Sequence, residues 1–261
     1  MTEDEAKVEW MTQELLRYCG PIFIGASLDS CSRESLSNGT YALLDTGKKH
    51  LLVTCAHVWY NYLRARDKDP NAFLGVFLGN GSRPISFKNP EERMIADDKV
   101  LDLVTFEFEP DLVPAPHAKA WFQVSQWPIP VPERGESMVT LGFSGSWRQE
   151  VPNGCNFGYH ILPLTVSEIG GQEILVLRTE DNAEVLDDMK EDWGGMSGSP
   201  AYRIDASGKF HLAGFVKLGP EGTKDGSRDP ETAPGSFMAG SVRLTRAECL
   251  KPDGSLKPPG S

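Results

Sequence analysis

The stretch Trp193-Gly194-Gly195-Met196-Ser197-Gly198-Ser199-Pro200 sets one serine between glycines and closes on a proline. Such a run is a tight turn with a hydroxyl at its tip, because glycine takes dihedrals denied to other residues and lets a second molecule come close to the main chain. A serine hydroxyl there becomes a useful nucleophile only if neighbouring backbone N–H groups point to where a carbonyl oxygen turns into an anion. Taken alone, the run reads first as a surface hairpin, since Gly/Ser-rich turns join many strands. The chemical reading requires a base for the hydroxyl and a carboxylate to orient that base.

Both residue types stand upstream. Leu51-Leu52-Val53-Thr54 is an apolar strand that runs into Cys55-Ala56-His57-Val58, so His57 follows a strand with only small residues before it. Taken singly, His57 reads as a core or loop histidine with satisfied nitrogens. Asp102 lies between Leu101 and Leu103 at the head of the run Leu101–Phe106, which draws it inward, whereas Asp97 and Asp98 read as solvated loop charges. A lone carboxylate at a strand start is usually a turn residue. The order His57, Asp102, Ser197 gives each of the three a meaning that none has by itself.

The chain between these points is β in character. A capping box, Thr2 with Glu5, opens a helix over about residues 3–17 with a stripe of Val8, Met11, Leu15 and Tyr18. After Gly20-Pro21, short runs rich in Val, Ile, Leu and Phe alternate with Gly, Pro, Asn and Asp as far as Leu244. One or two helical turns are expected at Trp59–Arg66. The Pro-rich stretch 110–134 reads as an extended connector rather than a strand, and it divides the apolar runs into two similar sets. The expected organisation is therefore all-β: an N-terminal helix (1–20), a first six-stranded Greek-key barrel (21–112), a connector (113–134), a second barrel (135–244), then a C-terminal helix and frayed tail (245–261). Residues 219–236 are polar and read as a loop beside the strand that precedes them.

Composition narrows the function classes. A chain of 261 residues with 39% hydrophobic residues buries a full core. Net charge is −11, with no basic cluster, which argues against nucleic acid and anionic membrane as partners. The first residues are acidic and no segment has the length of a membrane span, so a cytoplasmic location is expected. Five cysteines without a C-x-x-C pair indicate neither a disulfide framework nor a metal site.

The ordered set of segments resembles the chymotrypsin-like (trypsin-like) serine proteases, and among them the bacterial HtrA/Deg-type protease domain without a PDZ module. The likeness lies in Ser37–Thr40 leading to Leu51–Val58, in Leu101-Asp102-Leu103-Val104, in Arg134–Gly142, and in Gly195–Pro200 followed by Leu212–Val216. The resemblance implies a serine endopeptidase acting on a protein or peptide substrate without a cofactor. In it, His57, Asp102 and Ser197 form the triad, and the N–H groups of Gly195 and Ser197 form the oxyanion hole. The backbone of Lys217, Leu218 and Gly219 pairs with an extended substrate. Glu191 matches the floor of the primary pocket, with Gly219 and Gly235 keeping it open, which would favour Arg or Lys in the substrate; Glu191 also sits in an acidic run that reads as a solvated face.

Four positions depart from the family pattern. Met196 replaces the acidic residue that receives a newly cut N-terminus, Ser199 stands where a second glycine is usual, Val58 replaces a cysteine, and Lys217 replaces a small polar residue near the triad aspartate. Two rivals stay open: a catalytically silent member of the fold that binds a peptide or protein in the same cleft, and a latent protease switched on by a partner protein.

Overall fold

The structure is a computed structural model of the chain, and the described residues are 2–25, 37–78, 85–110, 119–145, 148–151, 154–178, 195–217 and 241–257. It opens with α1 (Glu3–Leu16), whose capping box forms as the sequence predicts: Glu5 N donates to Thr2 Oγ1 at 3.2 Å and Thr2 N to Glu5 Oε2 at 2.6 Å. Its inward face is Thr12 and Leu15, with Met11 and Leu16 beside them; Val8, expected in the stripe, is exposed. At the far end the buried Lys119 ammonium donates to Leu16 O, the last carbonyl of the helix, at 2.6 Å and also to Cys19 O at the start of the next strand. Burial pushes the pKa of Lys119 down.

The first lobe contains β1 (Cys19–Gly25), β2 (Ser37–Asp45), β3 (His50–Thr54), helix α2 (Ala56–Lys68), β4 (Phe73–Val76), β5 (Ile85–Ser86), helix α3 (Pro90–Arg93), β6 (Met94–Asp98), β7 (Leu103–Glu107) and β8 (Phe122–Gln123). They make one eight-stranded sheet in the order β5-β4-β1-β2-β3-β7-β6, with β8 parallel to β2. The sequence predicts a closed six-stranded barrel here. Among the described residues the sheet is instead open: β5 has two residues, too short for a ladder on both edges, and Pro90 starts α3 between the two ends. The Pro-rich connector likewise contributes a strand, β8, where none is expected.

The second lobe holds β9 (Ser137–Gly142), the hairpin β10 (Arg148–Val151) and β11 (Gly154–Phe157), β12 (His160–Gly170), β13 (Glu173–Arg178), β14 (Pro200–Ile204), β15 (Phe210–Val216) and β16 (Ser241–Arg246). Six of them close into an antiparallel barrel, β12-β13-β16-β15-β14-β9. Alternation drives it: along His160–Val166 every second side chain is buried, and Leu162, Leu164 and Val166 meet Ile174, Val176, Val242 and Leu244 inside. The lobes share a core in which Leu44, Leu51 and Val53 of the first pack with Val139, Leu141, Tyr202 and Phe215 of the second.

The end of the chain departs from expectation. In place of a helix from Thr245, β16 carries Val242 to Thr245 into pairing with its neighbours and only a 3-10 turn, Ala247–Cys249, follows. The tail to residue 257 is docked rather than frayed, since Thr46 Oγ1 donates to Pro252 O at 2.6 Å and Thr105 Oγ1 to Gly254 O at 2.7 Å. Among the described residues no helix is long and apolar enough to cross a membrane.

Tyr202 is fully buried against Phe122 and Phe210, and among the described residues its hydroxyl has no hydrogen-bond partner. A buried polar group without a partner costs about 1–3 kcal/mol. Tyr202→Phe is therefore expected to raise the unfolding free energy by about 1 kcal/mol in denaturant titration; a fall would show that the hydroxyl is satisfied.

Candidate active site

Helix α2 begins one residue before His57, earlier and longer than the one or two turns expected at Trp59–Arg66. Ala56, Val58, Trp59 and Tyr62 form its buried face, which leaves His57 on the side away from the core with a side chain 41% exposed. A helix start leaves backbone N–H groups without partners. Cys55, at the N-cap, supplies no side-chain cap, and no acidic residue stands in the first turn.

Asp102 meets that need from the start of β7, the strand paired with β3. Its carbonyl accepts Ala56 N at 3.1 Å and its Oδ1 accepts His57 N at 2.9 Å, while Oδ2 lies 2.7 Å from His57 Nδ1. One carboxylate thus holds both the backbone and the ring of His57. Facing an anion, Nδ1 carries the proton, which leaves Nε2 as the basic nitrogen; among the described residues Nε2 makes no hydrogen bond.

Asp102 has φ of +54°, a left-handed conformation costing on the order of 1–3 kcal/mol unless its surroundings impose it. They do. Asp98 Oδ1 accepts Val100 N at 2.8 Å and Leu101 N at 2.9 Å, so Asp98 builds the turn and is not the solvated charge the sequence indicates. From the second lobe, Thr245 Oγ1 donates to Leu101 O at 2.6 Å and Lys217 Nζ to Val100 O at 3.0 Å. Lys217 Nζ also reaches Glu173 Oε1 at 3.1 Å, which answers how a lysine is accommodated beside Asp102.

Ser197 is buried, on a turn with positive φ at Gly195 (+103°) and Gly198 (+91°), conformations that glycine alone takes without strain. A side chain at Gly198 would also strike Thr40 O and Thr54. Ser199 ties the turn: its Oγ donates to Met196 O at 2.6 Å and its N to the same oxygen at 3.0 Å. Holding Met196 O fixes the peptide whose other end is Ser197 N–H. Among the described residues, the N–H groups of Gly195 and Ser197 donate to no acceptor.

Val216 O draws the two halves together. It accepts Gly198 N at 2.9 Å and Cys55 Sγ at 3.2 Å, so the residue after Ser197 and the one two before His57 converge on one oxygen. No hydrogen bond joins Ser197 to His57 among the described residues. Glu191, Leu218, Gly219 and Gly235 lie outside the described residues, as do Trp193 and Gly194; of the substrate-binding set only Lys217 is described.

Cys55 is the participant the sequence does not single out. Its sulfur, a nitrogen of His57 and a carboxylate oxygen of Asp102 lie within 4.8 Å of one another, a donor set of the kind that holds a soft metal ion. Burial pushes the Cys55 thiol well above its usual range, and the Asp102 carboxylate adds to the effect. The protonated sulfur serves Val216 O, and Asp102 is already engaged by His57. Cys55 thereby acts as a hydrogen-bonded brace between the helix start and Val216. Its signal in the sequence was one small residue next to a helix start, too common to be informative.

No protein-family model matches the chain, and neither does any curated protein sequence. Among solved structures, the chain is similar to the crystal structure of a thermostable serine protease, AL20, from an extremophilic microorganism, with a TM-score of 0.45 and 9% identity. The match covers 88% of this chain and 91% of that one.

Asp102→Ala removes the partner of two donors at a buried position and is expected to cost about 1–3 kcal/mol of stability. Asp102→Asn retains the shape but presents an NH₂ group to the imidazole. Proton NMR checks the arrangement: the wild-type His57 Nδ1–H resonance should lie far downfield and vanish in Asp102→Asn, and a resonance unmoved by the substitution would refute the pairing.

Proposed function

We propose that the chain is a serine endopeptidase of chymotrypsin-like fold. The observation that carries the reading is the grip of Asp102 on both His57 N and Nδ1, which leaves Nε2 uncommitted on an exposed ring. A structural histidine has both nitrogens satisfied; a general base has one held and one free.

On this reading Ser197 Oγ attacks the carbonyl carbon of the scissile peptide bond while His57 Nε2 takes its proton. Asp102 holds the tautomer and stabilises the imidazolium. The carbonyl oxygen becomes an anion received by the N–H groups of Gly195 and Ser197, each such donor being worth on the order of 3 kcal/mol. His57 then protonates the leaving amine, the acyl-enzyme forms, and a water activated by the same base hydrolyses it. The N–H of Lys217 is given to Arg243 O at 2.8 Å, so its carbonyl is the group left to pair with the backbone of an extended peptide. Preference for Arg or Lys rests on Glu191, and a reducing, cytoplasmic setting accords with Cys19, Cys55 and Cys249 being free and buried.

A second reading is favoured by one observation: Ser197 and His57 are not hydrogen-bonded to each other. A latent protease would draw them together when a partner protein binds. Substrate entry also tightens catalytic hydrogen bonds, so labelling of the chain without a partner separates the two readings.

A fluorophosphonate probe tests the proposal. The wild-type chain should be labelled at Ser197, Ser197→Ala not at all, and His57→Ala at least about 1,000-fold more slowly. A folded wild-type chain that stays unlabelled, alone and with candidate partners, would leave the silent binding module as the better account.

A further inference from the structure

The nucleophile turn belongs to the second lobe, yet one residue of the first lobe holds the two carbonyls that flank its centre. Thr40, on β2, is fully buried and every polar atom it has is committed. Its hydroxyl donates to Gly195 O at 2.7 Å and accepts Phe143 N at 3.1 Å. Its N–H donates to Ser197 O at 2.8 Å, and its carbonyl accepts Thr54 Oγ1 at 2.7 Å.

Those two contacts on the turn bracket the candidate oxyanion donor. The Gly195 carbonyl sets the plane of the Gly195–Met196 peptide, and the Ser197 carbonyl that of the Ser197–Gly198 peptide. Between them lies the Met196–Ser197 peptide, whose N–H is one of the two unclaimed amides. Gly195 and Gly198 have positive φ, and glycine backbones rotate easily unless their carbonyls are held. Ser199 holds the middle carbonyl from within the turn; Thr40 holds the flanking ones from across the lobe boundary.

We propose that Thr40 is a positioning residue for the oxyanion-binding amides, acting through Gly195 O and Ser197 O without touching substrate. The proposal rests on the protease reading. Loss of the hydroxyl leaves Gly195 O and Phe143 N without partners and frees the peptide plane ahead of Ser197. A misplacement of about 1 Å at a reacting centre costs up to about 100-fold in rate. The loss falls on kcat, because the oxyanion exists only in the transition state.

The test compares wild type with Thr40→Val, which keeps the shape without the hydroxyl, and Thr40→Ser, which keeps the hydroxyl; Thr40→Ala replaces the valine variant if that does not fold. Peptide hydrolysis and amide hydrogen exchange are measured on each. Thr40→Val should lose about 10- to 100-fold in kcat with KM within about threefold, and Thr40→Ser should stay near wild type. Exchange at Phe143 N and Ser199 N should speed up in Thr40→Val and not in Thr40→Ser. Equal kcat and equal exchange in Thr40→Val and wild type would overturn the proposal, as would a loss confined to KM. If wild type hydrolyses nothing, alone and with candidate partners, while the exchange pattern follows the hydroxyl, the protease reading falls and the positioning of the turn by Thr40 stands.

Discussion

The charge of Asp102 against the first turn of α2 is the interaction on which the site depends. A helix N-terminus offers unpaired N–H groups and a partial positive charge, and a carboxylate placed there is stabilised by about 0.3–1 kcal/mol before any hydrogen bond is counted. Here Asp102 gives its carbonyl to Ala56 N and one oxygen to His57 N, so capping the helix and seating the imidazole are one act. The carboxylate caps α2 through Oδ1 and seats the ring through Oδ2. That economy also explains the left-handed backbone at Asp102: the chain must present carbonyl and carboxylate to the same helix end, and Asp98, Thr245 and Lys217 hold the turn that does so.

The second dependence runs the other way, from the first lobe into the second. Thr40 grips the turn around Ser197, Asn38 Nδ2 donates to Phe143 O at 2.9 Å just beyond β9, and Val216 O takes donors from both sides. The shared apolar core of Leu44, Leu51, Val53, Val139, Leu141 and Phe215 keeps these polar braces dry, where a hydrogen bond is strong and an unmade one costly. Each lobe therefore completes the other's half of the proposed machinery. A change in lobe packing would be felt at His57 and Ser197 together.

The places of Ser199, Lys217 and Cys55 become intelligible in these terms. Ser199 ties Met196 O where a glycine would leave the turn looser, and β9 meets that turn with Gly142, where a side chain would collide with the Ser199 hydroxyl. Lys217 takes its ammonium to Val100 O and Glu173, so a bulky cation sits near the Asp102 turn by joining the two lobes instead of contacting the carboxylate. Cys55 offers a small, protonated thiol at the point where these elements meet.

Much was legible in the residues alone. The capping box of α1, the alternation along β12, the glycines around Ser197 and the inward draw on Asp102 are local signals, because helix caps, strand faces and turn dihedrals depend on a few neighbouring residues. Tertiary structure decided the rest. Among the described residues the first sheet stays open, with α3 standing between β5 and β6; that the tail docks follows from hydroxyls of Thr46 and Thr105, which lie far from it in sequence. Above all, the roles of Thr40, Cys55 and Asp98 were invisible, since a threonine in a strand, a cysteine before a helix and an aspartate in a turn are common everywhere. Only long-range contact gives them meaning: hydrogen bonds are satisfied by whichever groups the fold brings within about 3 Å, and that proximity is a property of packing, which no short stretch of chain contains.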